Sequence, residues 1–288
     1  MIAVCLATHA PDPSLLARQL ASLDAQTDAA WELVRVDDAA GSGAWRAFER
    51  CFAQVPATAG FVAPCDQDDV WHPAKLARLQ AAMEPGVMLA FCDLRIVDPA
   101  GAVLSPTYWR GRRPTWDDLG EMLATNVVTG AACLLRRAVL DIALPFPPEL
   151  DDCFHDHWLA CCALALGELR HVPAVLVDYV QHDANLTGWS QTERPGAPKA
   201  AWRARAARDR ERHVERPRLW ARTLLERVPS VQGAKRDALE RAARPRLAGL
   251  VAGAAREQVD PSRTLQARRR ALRGALLGTT QREGGGSS

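Results

Sequence analysis

The sequence predicts an α/β fold: a mostly parallel sheet flanked by helices, followed by a C-terminal α-helical appendage. Three observations carry this. Over residues 1–190, short apolar runs alternate with helical periodicities in βαβα order. Polar and acidic residues gather where those apolar runs end. Beyond residue 200 the composition turns to Ala, Arg and Leu, and the charge balance changes sign.

Each element has its own signal. The run from Ile2 to Ala7 predicts a core strand that starts almost at the first residue. Asp12 is placed to cap a helix, Pro13 suits its first turn, and Leu15, Leu16, Leu20 and Leu23 recur at helical spacing. Residues 32–37 predict a second strand, and a helix carrying Trp45, Phe48 and Phe52 follows Gly43. Residues 60–65 predict a third strand, and a third helix starts at Pro73 and carries Leu76 and Leu79. Further strands are predicted at 87–92, 131–135 and 172–177, with an apolar helix opening near Asp156 and running to Leu166. The chain divides into a catalytic-type domain over 1–190, a basic helical region over 200–283 and a flexible tail over 284–288. Pro217, Pro229, Pro245 and Pro261 break the basic region into short helices.

Composition narrows the class. No apolar run approaches the length of a membrane span. The N-terminus lacks the basic region of a signal peptide, so a cytoplasmic location is expected. Eight cysteines without a CxxC pair read as small buried hydrophobes in a reducing compartment. Residues 200–288 hold 21 Lys+Arg against 9 Asp+Glu, whereas residues 1–199 hold 15 against 25. The basic region therefore either packs on its acidic neighbour or docks peripherally on an anionic membrane. Its few aromatics, Trp202 and Trp220, give little for bases to stack on, so no nucleic-acid partner is expected.

The chemistry centres on Asp66-Gln67-Asp68-Asp69-Val70-Trp71. Three carboxylates crowd into four residues at the mouth of the third strand. Mutual repulsion makes that costly unless a cation offsets it. Hard oxygen ligands suit Mg2+ or Mn2+ rather than zinc. In an open α/β sheet, ligands bind at the carboxyl ends of strands. Two other strand ends add polar groups: Thr8-His9 and Asp37-Asp38. A carboxylate there can accept the ring N–H of a uracil or thymine, although capping and turn formation explain Asp37-Asp38 as well. Asn126 to Gly130 forms a small-residue turn that lets backbone approach a ligand. Asp156 opens its helix either as a cap or as a general base toward a sugar hydroxyl. His155, His157, Cys161 and Cys162 make a poor zinc site, because adjacent cysteines do not easily share one ion. His182 is either a surface histidine or a ligand to metal or diphosphate.

Taken in order over about residues 2–188, these segments resemble the family 2 glycosyltransferases of the GT-A fold. They most resemble the bacterial rhamnosyltransferase-like branch that builds cell-surface polysaccharides. The likeness runs through Ala7-Thr8-His9, Gln26-Thr27, Asp37-Asp38, the Asp66–Trp71 run, Asn126–Gly130, His155-Asp156-His157-Trp158 and Tyr179-Val180-Gln181-His182. It implies that Thr8, His9, Asp38, Asp66, Gln67 and Gly130 contact the nucleotide sugar. It implies a DxD motif in which Asp68, with Asp66, holds Mg2+ or Mn2+, joined by His182. Asp156 would be the catalytic base. The donor would be a dTDP- or UDP-linked sugar, rhamnose among the candidates, and the acceptor a glycan or lipid-linked hydroxyl. The chain departs from the family pattern at Thr8-His9-Ala10, where Thr-Tyr-Asn is usual, and at Ala39-Ala40-Gly41-Ser42, where Gly-Ser-x-Asp is usual and the later aspartate is missing.

Other readings of the acidic cluster are a nucleotidyltransferase, a phosphatase or a non-catalytic sugar-nucleotide binder. The first expects a Gly- and Lys-rich loop after the first strand, which Ala10–Leu16 lacks. A phosphatase expects its acidic pair where Thr8 stands. The intact set Asp66, Asp68 and Asp156 argues against a degenerate binder.

Overall fold

The first strand, β1 (Ile2–Thr8), lies inside the sheet and feeds two cores, one on each face. Side chains alternate along a strand. Cys5 accordingly joins one core, while Ile2, Val4 and Leu6 join the other. The computed structural model describes residues 1–109, 115–148, 154–182 and 214–244.

Helix α1 (Pro13–Asp24) begins as expected: Asp12 accepts from the backbone N–H of Ser14 and Leu15 at 2.8 and 3.1 Å. A cap of this kind contributes about 1 kcal/mol. Strand β2 (Trp31–Asp37) pairs in parallel with β1, as β3 (Phe61–Cys65) does on the other side. Between them α2 (Ala44–Phe52) buries Trp45, Phe48 and Phe52. Gly43, at φ 88°, supplies the left-handed backbone that turns the chain into α2. A short β4 (Val70–Trp71) precedes α3 (Lys75–Ala81). That helix starts after Pro73 because His72 to Lys75 close a turn, Lys75 N–H donating to the His72 carbonyl at 2.9 Å.

The remaining elements are β5 (Val87–Val97), β6 (Val103–Ser105), α4 (Leu119–Ala124), β7 (Cys133–Arg136), α5 (Ala138–Ala143), α6 (His155–Leu166), β8 (Glu168–Val180), α7 (Arg216–Arg227) and α8 (Gly233–Ala243). The sheet runs β2-β1-β3-β7-β5-β8-β4, with β6 on β5. Strands β1, β2, β3, β5 and β8 share one direction, and β4, β6 and β7 oppose it. The fold class is thus mixed α/β, with helices on both faces of a curled sheet.

Two strands outrun their sequence signals. The runs at 87–92 and 172–177 belong to strands that pair in parallel over most of their length. Their extensions carry Asp93, Arg95 and Asp178, which read as loop. Arg95 and Asp178 instead satisfy each other across the ladder, with one N–O contact at 2.7 Å. The strand expected at 131–135 starts at Cys133, because the small residues Gly130–Ala132 take a single turn of 3-10 helix.

The described part of the basic region packs on its neighbour, one of the two readings its charge allowed: α7 and α8 lie against the core around α2, α4 and α6. Trp220 is fully buried and stacks on Trp45, with centroids 6.2 Å apart and planes at 1°. Leu224 and Leu239 are buried in the same cluster. Arg216 is 2% exposed, over the Trp220 ring. Arg227 donates to the carbonyls of Ile142, Ala143 and Pro145. Pro217 sits in the first turn of α7, where a proline costs nothing, and Pro229 follows its end. Arg203, Arg205, Arg208, Arg210 and Arg212, together with the tail at 284–288, lie outside the described residues. Among the described residues no helix is long and apolar enough to cross a membrane.

Candidate active site

Strands β1, β2 and β3 end side by side, and their ends are tied together. His9 N–H donates to Gln67 Oε1 at 2.8 Å, and Gln67 Nε2 donates back to the His9 carbonyl at 3.2 Å. The His9 ring also donates through Nδ1 to the Asp38 carbonyl at 2.8 Å. His9 itself is exposed, so its ring presents a face beside the acidic run. Gln67 therefore couples the β1 end to the β3 end.

Three residues expected to contact the nucleotide sugar turn inward. Thr8 is 1% exposed, and its hydroxyl faces Asp37 at 3.5 Å. Asp38 is 2% exposed, with Oδ1 taken by Ser42 and Arg50 and Oδ2 by the Gly43 N–H. Burial works against its charge, but the bonds from Ser42, Arg50 and Gly43 outweigh it and hold its carboxyl below the ordinary carboxylate range. The exposed carboxylate at that strand end is Asp37. Gly130 is buried, and its N–H donates to Asp156 Oδ2 at 3.1 Å. A Cβ at Gly130 would stand 2.6 Å from His155 Nε2, so what approaches this glycine closely is an imidazole of the chain itself.

The acidic run splits by position. Asp66 and Asp68 are half-buried at the mouth, whereas Asp69 is fully buried. His182, just past β8, donates through Nε2 to Asp68 Oδ2 at 2.9 Å. Burial raises Asp66 to about 7, and the neighbouring charges of Asp68 and Asp156 add to the rise. The structure therefore pairs Asp68 with His182, 114 residues further along the chain, and brings the charge of Asp156 within reach of Asp66.

Asp156 sits in the first turn of α6 and does not cap it; Phe154 occupies the cap position. Both its oxygens are held. Asn126 Nδ2 donates to Oδ1 at 3.0 Å, the His157 N–H to Oδ1 at 2.6 Å, and the Gly130 N–H to Oδ2. Burial raises Asp156 to about 6, and these three bonds hold the rise back. His155 and His157 are framework residues. His155 stacks on Phe48 at 3.7 Å between centroids, and burial drops its pKa to about 3, so it is neutral. His157 donates to the Met122 carbonyl.

Sequence reasoning gave no role to Asn126, Arg50 or Lys75. Asn126 stood in the right segment, and its hold on Asp156 needs the fold to be visible. Lys75 had a signal: it begins the helical stripe with Leu76 and Leu79, a position that a solvated lysine avoids.

Among the described residues, no three His, Cys, Asp or Glu side chains form a closed metal group. The donors present are Asp68 and His182, with Asp66 within electrostatic reach. Two protein donors with open positions suit Mg2+ or Mn2+, which complete their shells with phosphate oxygens and water. The like-charge crowding that raises Asp66 is what such an ion relieves. The residues fit such an ion: Asp68 and His182 would be its protein ligands, with Asp66 beside them.

No family model and no curated protein matches the chain. Solved structures do. A crystal structure of Staphylococcus aureus TarS 1–349 aligns over 95% of this chain and 80% of its own, at 14% identity and a TM-score of 0.54. The same protein in complex with UDP aligns over 98% and 91%, at 14% identity and a TM-score of 0.52. The mannosyltransferase PcManGT from Pyrobaculum calidifontis, in complex with GDP-Man and Mn2+, aligns over 98% and 87%, at 17% identity and a TM-score of 0.45. These structural neighbours are glycosyltransferases. At such identities the likeness is one of fold, and the chain has the α/β fold of the TarS structures.

Proposed function

We propose that this chain is an inverting, metal-dependent glycosyltransferase that moves a sugar from a nucleoside-diphosphate donor to a hydroxyl of a glycan or lipid-linked acceptor. The observation that carries the reading is the Asp68–His182 pair at the mouth of β3, with an Asp156 carboxylate held by Asn126 and Gly130 whose charge reaches Asp66. A cation site and a carboxylate base at one strand-end crevice are what sugar transfer requires. The fold shared with TarS, one structure of which holds UDP, agrees with a uridine or thymidine nucleotide. The resemblance to the rhamnosyltransferase-like branch makes rhamnose the candidate sugar.

The chain's residues divide the work. Asp68 and His182 would hold the divalent ion, with Asp66 facing the ribose or the sugar. Bound there, the ion would neutralise charge on the departing diphosphate. His9, exposed and tied to Gln67, lies where a base would stack. Asp156, with a pKa of about 6, is ionised at neutral pH. It takes the proton from the acceptor hydroxyl as that oxygen attacks the anomeric carbon and the carbon–oxygen bond to the diphosphate breaks. Attack from the face opposite the leaving group inverts the centre without a covalent enzyme intermediate. Asn126, Gly130 and His157 hold the Asp156 carboxylate still, so alignment is prepared before substrate arrives.

Peripheral contact with an anionic membrane belongs to the same reading. It rests on the surplus of arginine beyond residue 200, since Arg216 and Arg227 are spent inside the fold. A donor-hydrolysis screen across UDP-, dTDP- and GDP-sugars, with and without Mn2+, tests the proposal. One donor class should turn over faster with Mn2+. Metal-independent inactivity on every donor counts against it.

A further inference from the structure

We propose that His155 is a positioning residue for Asp156: its ring is a fixed wall that keeps the Gly130 N–H on the Asp156 carboxylate. The functional half of this rests on the reading of Asp156 as the base; the packing of His155 against Gly130 does not.

His155 and Asp156 are consecutive residues at the start of α6, and they reach Gly130 from two directions. Asp156 Oδ2 accepts the Gly130 N–H at 3.1 Å. The His155 ring closes the side on which any other residue would carry its Cβ. An ideal Cβ there would lie 2.6 Å from His155 Nε2, 3.4 Å from its Cε1 and 3.5 Å from Asp156 Cβ. Residue 130 and α6 therefore come this close only because residue 130 has no side chain.

The ring has no room to swing aside. It stacks on Phe48, with centroids 3.7 Å apart and planes at 21°, and Phe52 lies at 6.2 Å. His155 is 7% exposed. Its Nε2 has no hydrogen-bond partner among the described residues, so the edge that faces Gly130 is placed by packing. A buried ring nitrogen without a partner costs stability and calls for an explanation. Shape supplies one: a five-membered ring lies on Phe48 and stops short of Gly130, where a phenyl ring would extend further. Burial keeps His155 neutral, at about 3, so it acts on Asp156 through Gly130 and not through a charge of its own.

The functional consequence concerns alignment. Gly130 opens a buried 3-10 turn, and the wall confines that turn to the place where its N–H meets Oδ2. One of the bonds that fix the carboxylate is thereby set by α2, through Phe48 and His155. His155 touches no substrate in this account.

The test compares wild type, His155→Ala, Gly130→Ala and the double variant, each as the full chain. Native-state amide exchange at position 130 reads the wall without any substrate. Transfer from a UDP- or dTDP-sugar, beside calorimetric binding of UDP and dTDP with Mn2+, reads its effect on the base. His155→Ala should speed exchange at Gly130 by roughly tenfold. It should lower kcat by roughly tenfold and leave nucleotide affinity nearly intact, a split that a general loss of stability does not produce. Gly130→Ala should lose more in kcat, on the order of 10², because its methyl drives the turn off Asp156. The double variant should recover part of that loss, with slower exchange at position 130, because the methyl then occupies space that the imidazole has left. Unchanged exchange at Gly130 in His155→Ala overturns the proposal, and so does a double variant no better than Gly130→Ala by either readout. If Gly130→Ala does not fold, exchange in His155→Ala decides alone. If exchange follows the expected order while kcat responds in none of the variants, the wall stands and the reading of Asp156 as the base fails.

Discussion

Asn126 donates its side-chain amide to Asp156 Oδ1 at 3.0 Å while its own orientation is locked by Val128. The amide also donates to the Val128 carbonyl at 2.7 Å, and its oxygen accepts from the Val128 N–H at 3.0 Å. Asn126 therefore cannot rotate away without breaking three bonds. The carboxylate proposed as base is held by a group that is itself fixed.

The pH dependence follows. A base must be ionised, so the transfer rate should rise with pH through about 6, the value to which burial lifts Asp156. Asn126→Ala removes one of the bonds that favour the ionised form. The acidic limb should then move to higher pH, and the rate at neutral pH should fall by roughly tenfold. A pH–rate profile of both proteins checks this. An unshifted limb in Asn126→Ala would mean that another group titrates.

Asp156→Asn keeps the size of the side chain and loses the proton acceptor. Transfer should fall by a factor on the order of 10² or more, with nucleotide affinity nearly intact. Parallel measurement of turnover and of UDP or dTDP binding separates the two. Near wild-type turnover would place the base elsewhere.

Trp220→Ala tests whether α7 belongs to the core. Trp220 fills a space between Trp45, His157 and Trp158. Its truncation should cost about 3–5 kcal/mol, as a large core aromatic does. Denaturant unfolding monitors this directly. A loss under about 1 kcal/mol would fit a loosely attached helix instead.

The two halves of the chain were unequally legible in sequence. Strand ends announced themselves, because Thr8, Asp38 and Asp66 each follow a short apolar run and the runs alternate with helical stripes. The direction of β7 did not, because no local signal separates an antiparallel insertion from another parallel strand. The extensions of β5 and β8 were hidden by Arg95 and Asp178, which look like loop until they meet across the ladder. Site residues followed the same rule. Asp66, Asp68, Asp156 and His182 were legible as candidates by type and place. The inward turn of Asp38 was not, because it depends on Arg50 reaching back from α2. The charge of the basic region left packing and membrane docking open, and Arg216 lies over the Trp220 ring while Arg227 takes carbonyls at the end of α5. Arginine in quantity shows charge and does not show which side chains the fold consumes.

Membrane contact predicts sedimentation with anionic vesicles that fades as salt rises. Because α7 and α8 are part of the core, the informative truncation starts after residue 244 rather than at 200. Loss of vesicle binding in that variant, with an unchanged Tm, supports docking by the C-terminal tail. Equal recovery in the supernatant with anionic and neutral vesicles removes membrane contact from the account.

The central claim is that Asp68 would hold a divalent ion on which nucleoside-diphosphate binding depends. Calorimetric titration of UDP and dTDP, with and without Mn2+, measures it most directly. Wild-type protein should bind at least one of them more tightly with Mn2+. Asp68→Ala should lose that Mn2+ dependence, and Asp66→Ala should keep part of it. Binding in Asp68→Ala that matches wild type, with the same response to Mn2+, would contradict the account.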